Sequence, residues 1–203
     1  MTWDPNKYNE FKEDRYKPFG DLTSHIVNKP NLKVIDLGCG TGELTQKLSN
    51  LLTEPSVLGI DSSAEMLAKT PSQENIQFKQ LSITEQLEQE SKWDLIFSNA
   101  ALQWIDNHEE LFPKIISKIN PDGQLAVQMP QQTENVLNKI LLELVKEEPY
   151  AFYLNYWTRP SPVLTLDQYA KILFENGGHD GSPMARLLPA FPGRTLAARQ
   201  RHL

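Results

Sequence analysis

Three glycines at alternate positions, Gly38, Gly40 and Gly42, separate the acid Asp36 from a helical run that opens at Glu43. Before them stand the β-branched residues Val34 and Ile35. This is the pattern of a strand that ends in a bend without side chains and opens onto a helix N-terminus. Glycine lets the main chain turn with positive φ and lets a ligand touch the backbone. Unpaired N–H groups at the helix start favour an anionic or polar ligand group. The chemistry implied is the holding of a nucleotide-like molecule.

Spacing decides which kind. A dinucleotide fingerprint needs G-x-G-x-x-G, and the position of its third glycine is held by Glu43. A phosphate loop needs Gly-Lys-Ser or Gly-Lys-Thr, and the chain has neither. What stands here is D-x-G-x-G-x-G from Asp36 to Gly42. A second apolar run, Ser56–Asp61, ends in an acid that can accept hydrogen bonds from both hydroxyls of a ribose. A glycine bend with a ribose acid but no pyrophosphate clamp suits an adenosine ligand without phosphates, and S-adenosylmethionine fits. Asp36 either touches this ligand or caps the following helix, Gly38 and Gly42 either line it or only shape the turn, and Asp61 can double as an N-cap.

The elements that must position these residues alternate in type. Strands are expected at Lys33–Leu37, Ser56–Asp61, Ile76–Ile83, Trp93–Ser98 and Gln124–Met129, the fourth apolar throughout and therefore central. Leu44, Leu48, Leu51 and Leu52 share one helical face after the first strand, and Leu111, Phe112, Ile115, Ile116 and Ile119 share one before the fifth. Ser62 with Glu65, Asp106 with Glu109, and Thr165 with Gln168 have capping-box spacing. His108, in the first turn of the helix after Asp106, reads as a solvated surface residue. Repeated strand–helix units predict an α/β fold: a Rossmann-like, doubly wound, mostly parallel sheet with five evident strands. Beyond Pro130 come an amphipathic helix (Val136, Leu137, Ile140, Leu141, Leu144, Val145) and an aromatic, proline-bearing stretch from Tyr150 to Pro162.

A chain of 203 residues fits one domain, 1–177, with 131–177 as a helical cap after the fifth strand. Residues 178–203 change character: four arginines and no lysine, against 14 lysines and two arginines before them. They read as a poorly ordered segment foreign to the domain, left by truncation or a frame shift, with a flexible native terminus as the alternative, and the pair of strands that would close the sheet is expected to be missing. A net charge of −6 speaks against a nucleic-acid carrier, and no apolar run approaches membrane-spanning length. The single cysteine, Cys39, rules out an intrachain disulfide and suggests a reducing, cytoplasmic setting, and the four histidines show no metal-ligand spacing.

Val34–Gly42, Gly59-Ile60-Asp61 and Trp93–Asn99 make the chain resemble the class I S-adenosylmethionine-dependent methyltransferases. More narrowly, it resembles the trans-aconitate 2-methyltransferase group. That rests on Trp3-Asp4-Pro5, Tyr8, Phe11, Arg15, Pro18 and Asp21-Leu22, on Asp61-Ser62-Ser63 with Glu65-Met66-Leu67, and on Ser98–Trp104 and Ala126–Pro130. The resemblance implies that Gly38, Gly40 and Gly42 line the methionine and ribose part of the cofactor. Asp61 would hold the ribose hydroxyls, Ser62 beside it is counted among the cofactor-binding residues, and Met66 would pack near the adenine. Ser82-Ile83 occupies the place where the family often has an acid followed by an apolar residue beside the adenine. Asn99 and Ala100 would offer backbone carbonyls to the cofactor's amino group.

A carboxylate acceptor, as the narrower group implies, is ionised at neutral pH and needs no general base. It does need orientation, for which arginine's planar fork is suited. Before residue 178 only Arg15 and Arg159 qualify, with Tyr8 and Trp104 as further substrate-orienting candidates, and no residue is assigned a covalent or proton-transfer role. The expected activity is O-methylation of a small polycarboxylic acid, trans-aconitate-like, with no metal, nucleic-acid or membrane partner and an oligomeric state the sequence leaves open. Alternatives are another small acid or a carrier-bound acyl group as acceptor, a non-catalytic cofactor-binding remnant, and, disfavoured by Glu43, a nicotinamide dehydrogenase.

Overall fold

The structure, a computed structural model, describes residues 12–130, 135–157, 161–177, 188–190 and 193–199, with side chains described from residue 16 to residue 177 of these. Seven strands form one sheet: β1 (Lys33–Leu37), β2 (Ser56–Asp61), β3 (Ile76–Gln80), β4 (Trp93–Asn99), β5 (Ile119–Met129), β6 (Leu188–Ala190) and β7 (Gly193–Arg199). Their spatial order is β3-β2-β1-β4-β5-β7-β6, parallel through β5 and antiparallel beyond it. Helices α1 (Lys12–Thr23), α2 (Glu43–Leu51), α3 (Ala64–Leu67), α4 (Ile83–Leu87), α5 (His108–Ser117), α6 (Val136–Leu144), α7 (Tyr150–Tyr153) and α8 (Leu166–Glu175) connect or cover the strands.

Strand alternation splits the core into two halves. Val34, Val57, Leu95 and Phe97 pack with Phe19 and Leu22 of α1 and Leu48 of α2. Their neighbours Ile35, Ile60 and Ile96 face the other way, against Ile83 and Leu87 of α4, Phe112 and Ile115 of α5, and Tyr169 and Leu173 of α8. Successive side chains of a strand point to opposite faces, so the near-continuous apolar runs of β1 and β4 require helices on both sides. Phe19 meets Phe97 edge-on at 5.8 Å, which pins α1 to the middle of the sheet.

Several expectations need correction. The strand pair expected to be missing is formed: β7 runs antiparallel to β5 from Met129–Arg194 to Gln124–Arg199, and β6 pairs with β7. Main-chain hydrogen bonding to an open β5 edge requires little of the side chains, which is why the composition of the tail concealed it. The third strand stops at Gln80, because Ser82 and Glu85 close a reciprocal capping box that starts α4 at Ile83. At α5 the Asp106–Glu109 box does not form, since Asn107 takes the N-cap in a left-handed conformation without a side-chain cap. Ser63, not Ser62, caps α3 by accepting from the Met66 N–H. The fifth strand begins at Ile119, five residues before the expected start, with a register shift against β4 that absorbs Pro121-Asp122-Gly123. The amphipathic helix α6 forms, yet Val136, Leu137, Ile140, Leu141 and Leu144 are all exposed.

Candidate functional site

In an open sheet of this order, loops diverge where strands run to opposite sides of β1, which opens a crevice past the carboxyl ends of β1 and β4. The glycine bend lies there. Gly38 and Cys39 both donate to the Ile60 carbonyl at 2.9 Å, which ties the bend to the end of β2. The buried Ser98 hydroxyl donates to the Leu37 carbonyl at 2.8 Å and ties it to β4.

Asp61 stands at the end of β2 with both carboxylate oxygens in use. Oδ2 accepts from the Gly40 N–H at 2.9 Å and Oδ1 from the Ser63 N–H at 2.8 Å. The bend and the acid, 21 residues apart in sequence, are therefore one hydrogen-bonded unit. A carboxylate has about four lone-pair positions, so two remain for hydroxyl donors.

The three glycines divide the work. A Cβ on Gly38 would meet the Cβ of Ala101 at 2.3 Å, and one on Gly42 would meet the Phe78 ring at 2.5 Å. These two give room to packing, and each has a φ that a side chain rarely tolerates. Gly40 is different: the nearest atom to its Cβ position is the Met66 Cε at 3.4 Å. Of the three, Gly40 is the one whose bare face leaves space for a ligand, with the half-exposed Met66 beside it.

Two residues expected to touch the ligand have partners within the protein. Asp36 is buried and accepts from the Thr45 hydroxyl of α2 at 2.6 Å rather than capping the α2 backbone. Burial, only partly offset by that hydrogen bond and reinforced by the charge of Asp61, pushes its carboxyl up to about 7. The Ser82 hydroxyl is committed to its own helix: it donates to Glu85 Oε2 at 2.6 Å and accepts from the Glu85 N–H. Ile83, expected beside the adenine, is buried under the bend, its Cδ1 3.9 Å from the Gly38 Cβ position. The Ser62 side chain makes none of the hydrogen bonds described here, while its carbonyl accepts from Gln80 Nε2.

Past β4, Asn99 leads into Ala100, which has φ +56° and donates its N–H to the Gln128 carbonyl at 2.8 Å. A short 3₁₀ turn, Leu102–Trp104, follows. Gln103 folds back so that its Nε2 donates to the Ala100 carbonyl at 2.7 Å. Sequence reading missed this residue, although its place in Asn99–Trp104 marked the segment. It also missed the fate of His108, which is buried and not solvated. His108 Nε2 faces the Leu102 carbonyl at 3.0 Å and so must carry the proton. Nδ1 is then the acceptor for the Tyr169 hydroxyl, which in turn accepts from the Leu164 N–H. Burial lowers the histidine's pKa. This chain anchors the turn after β4 to α8.

Of the substrate-orienting candidates, Trp104 lies on the 3₁₀ turn and is 62% exposed. Arg15 falls on α1 with its side chain outside the described residues, and Tyr8 and Arg159 lie outside them altogether. Burial drives the Cys39 thiol far up in pKa, so it is inert packing beneath the bend. Among the described residues no group of three metal-ligating side chains forms and no helix is long and apolar enough to cross a membrane.

Residues 28–177, well over half of the chain, match a family model described as a methyltransferase domain. The chain is 38% identical to a trans-aconitate 2-methyltransferase of Deinococcus radiodurans, over 95% of this chain and 76% of that protein. That share of the chain exceeds residues 1–177, so the similarity runs into the arginine-bearing tail. It is 31% identical to a trans-aconitate 2-methyltransferase of Variovorax paradoxus over 88% of this chain and 66% of that protein. Among solved structures, magnesium protoporphyrin IX methyltransferase from Synechocystis, with bound SAH, superposes with a TM-score of 0.69 at 16% identity, covering 98% of this chain and 89% of that one. An S-adenosylmethionine dependent methyltransferase from Mesorhizobium loti gives 0.64 at 16% identity, covering 90% and 97%. With the sheet order, the glycine bend bonded to the β2 acid, and these relatives in agreement, the chain belongs to the class I S-adenosylmethionine-dependent methyltransferases.

Proposed function

We propose that this chain binds S-adenosylmethionine at the bend and transfers its methyl group to one carboxylate of a small polycarboxylic acid of the trans-aconitate type. The observation that supports the cofactor's place is the Asp61–Gly40 hydrogen bond, which brings a carboxylate with acceptor positions to spare against the one bend glycine whose Cβ position is not crowded. Asp61 would hold the ribose hydroxyls, Gly40 would admit the sulfur-bearing chain, and Met66 and Ile83 would flank the adenine. Asn99 and Ala100 would meet the amino group. The bound sulfonium supplies an already activated methyl. The protein's remaining work is to align the acceptor oxygen with it and to exclude water.

An ionised carboxylate needs no proton removed before it attacks. This agrees with a histidine held in the core with both nitrogens engaged. Arg15, Tyr8, Trp104 and Arg159 are the proposed orienting groups for the acceptor's other carboxylates, and a cytoplasmic setting accompanies this reading. The acceptor class comes from the relatives' names and from Asn99–Trp104 and the N-terminal residues that resemble theirs. Incubation with S-adenosylmethionine and trans-aconitate, with citrate, itaconate and an acyl-carrier thioester alongside, should give a monomethyl ester of trans-aconitate detectable by mass spectrometry. Methylation of another member of the panel alone would change the acceptor. Because the chain spans 76% and 66% of the two relatives, a second reading keeps the cofactor without turnover. Tight cofactor binding with no product from any acid would select it.

A further inference from the structure

Helix α6 carries its apolar residues on one stripe, since Val136, Leu137, Ile140, Leu141 and Leu144 recur at helical spacing. Such a stripe ordinarily faces a core. Here the five side chains are between 41% and 77% exposed, and no residue of the helix is buried. The half-buried residues Asn138 and Leu142, with Val145 just beyond the helix, lie on the opposite side and mark the face turned to the protein. The stripe therefore presents roughly 500 Å² of apolar surface, as much as the largest patch on an ordinary monomer. Its border shows what fits it. Lys139 and Glu143 stand one turn apart along the same edge of the stripe. When two identical helices pack antiparallel about a two-fold axis, the same edge of each faces the other. With the axis passing between Ile140 and Leu141, position 139 of one copy lies within a single residue's rise, about 1.5 Å, of position 143 of the other. Each lysine then meets a glutamate, twice in one interface. Glu143 holds Lys146 at 2.7 Å on the surface and retains acceptor positions for a second cation.

We propose that this stripe is where two copies of the chain associate, α6 against α6 in antiparallel orientation. Two stripes face to face cover roughly 1,000 Å² in total, the size at which specific interfaces begin, so the dimer belongs in the micromolar range. Charge disfavours a bilayer as the occupant. Helices that lie on membranes carry lysine and arginine on their polar face. Residues 135–157 hold two lysines, three glutamates and no arginine, in a chain of net charge −6. This contact requires neither the cofactor nor the acceptor.

Sedimentation velocity on the whole chain, across the micromolar range, reads the association. Wild type should pass from monomer to dimer as its concentration rises. Leu141→Lys, at an exposed position, should raise the dissociation constant about 10–100-fold with its circular dichroism unchanged. Lys139→Glu and Glu143→Lys should each weaken their own dimer severalfold, because like charges then meet across the axis. An equimolar mixture of these two variants should associate as wild type does, since the unlike pair restores both charge contacts. A bilayer or an unrelated partner gives no such rescue. A wild type that stays monomeric throughout overturns the proposal. The stripe would then be covered within its own chain, read as a lower urea midpoint for Leu141→Lys, or taken by a bilayer, read as binding to phosphatidylcholine vesicles. A dimer as strong in Leu141→Lys as in wild type places the contact elsewhere and overturns it too. So does a mixture of the charge variants no stronger than either alone, which would refute the antiparallel pairing.

Discussion

Asp36→Asn gives the most exacting test of how the site is supported. The carboxyl is pushed from an ordinary 3.8 up to about 7 because it is buried, with Thr45 as its hydrogen-bond donor and the charge of Asp61 nearby. A raised acid favours the protonated form in the folded state. Its contribution to stability is therefore fully present below pH 3.8, declines as pH rises, and is gone above about pH 7. Each pH unit in that window is worth about 1.4 kcal/mol, so the ionised carboxylate costs the fold about 4 kcal/mol at most. Asparagine keeps an acceptor for Thr45 and removes the charge, but its amide protons go unpaired at about 1–3 kcal/mol. The net change at pH 8 is expected to be stabilising by about 1–3 kcal/mol. The pH-dependent part is independent of that amide cost: between pH 5 and pH 8 the advantage of the variant over wild type should grow by about 2–3 kcal/mol. Urea unfolding of both proteins at pH 5, 6, 7 and 8 measures it. A difference that stays flat across the series would show that Asp36 is ionised without strain in the fold, and the account of its burial would be wrong.

The remaining tests concern binding and packing. Asp61→Ala should weaken S-adenosylhomocysteine binding by about 1–3 kcal/mol, through lost ribose contacts and an unpaired Gly40 N–H; unchanged calorimetric affinity would remove Asp61 from the site. Tyr169→Phe leaves the His108 Nδ1 and the Leu164 N–H without partners, and should cost about 2–4 kcal/mol, read as a lower urea midpoint at constant slope. Gln124→Leu breaks a two-point clasp on Val27, whose N–H donates to Oε1 at 2.7 Å and whose carbonyl accepts from Nε2 at 2.9 Å. It should cost a similar amount in the same assay, and a loss below about 0.5 kcal/mol would mean that water replaces the clasp.

What could be read from the sequence was what periodicity and spacing encode. Val34-Ile35 and Leu95-Ile96-Phe97 required helices on both faces, and the bend with Asp61 announced a ligand without phosphates. The contacts that decide which atoms face that ligand were not readable, because they join residues remote in sequence. Gly42 needs its bare face for Phe78, and Asp36 is taken by Thr45. Ser82 looked like a ligand contact because its position matched a family pattern, yet three residues on, Glu85 makes the same serine a helix cap. The serine–glutamate spacing is the local signal for this capping role. The β5–β7 pairing had a different cause of concealment, since backbone hydrogen bonds leave almost no trace in side-chain composition.

His108 shows how such long-range contacts bear on the site. Its Nε2–H holds the Leu102 carbonyl from the core side, while Gln103, the next residue, holds the Ala100 carbonyl from within the loop. The turn after β4 is thus held at two of its carbonyls, one from the core and one from within the loop. A ligand drawn against this loop has to work against the histidine's grip or move with it. Loosening that grip in Tyr169→Phe should therefore alter the calorimetric affinity for S-adenosylhomocysteine. Unchanged affinity would mean that the core anchor and the loop are energetically separate.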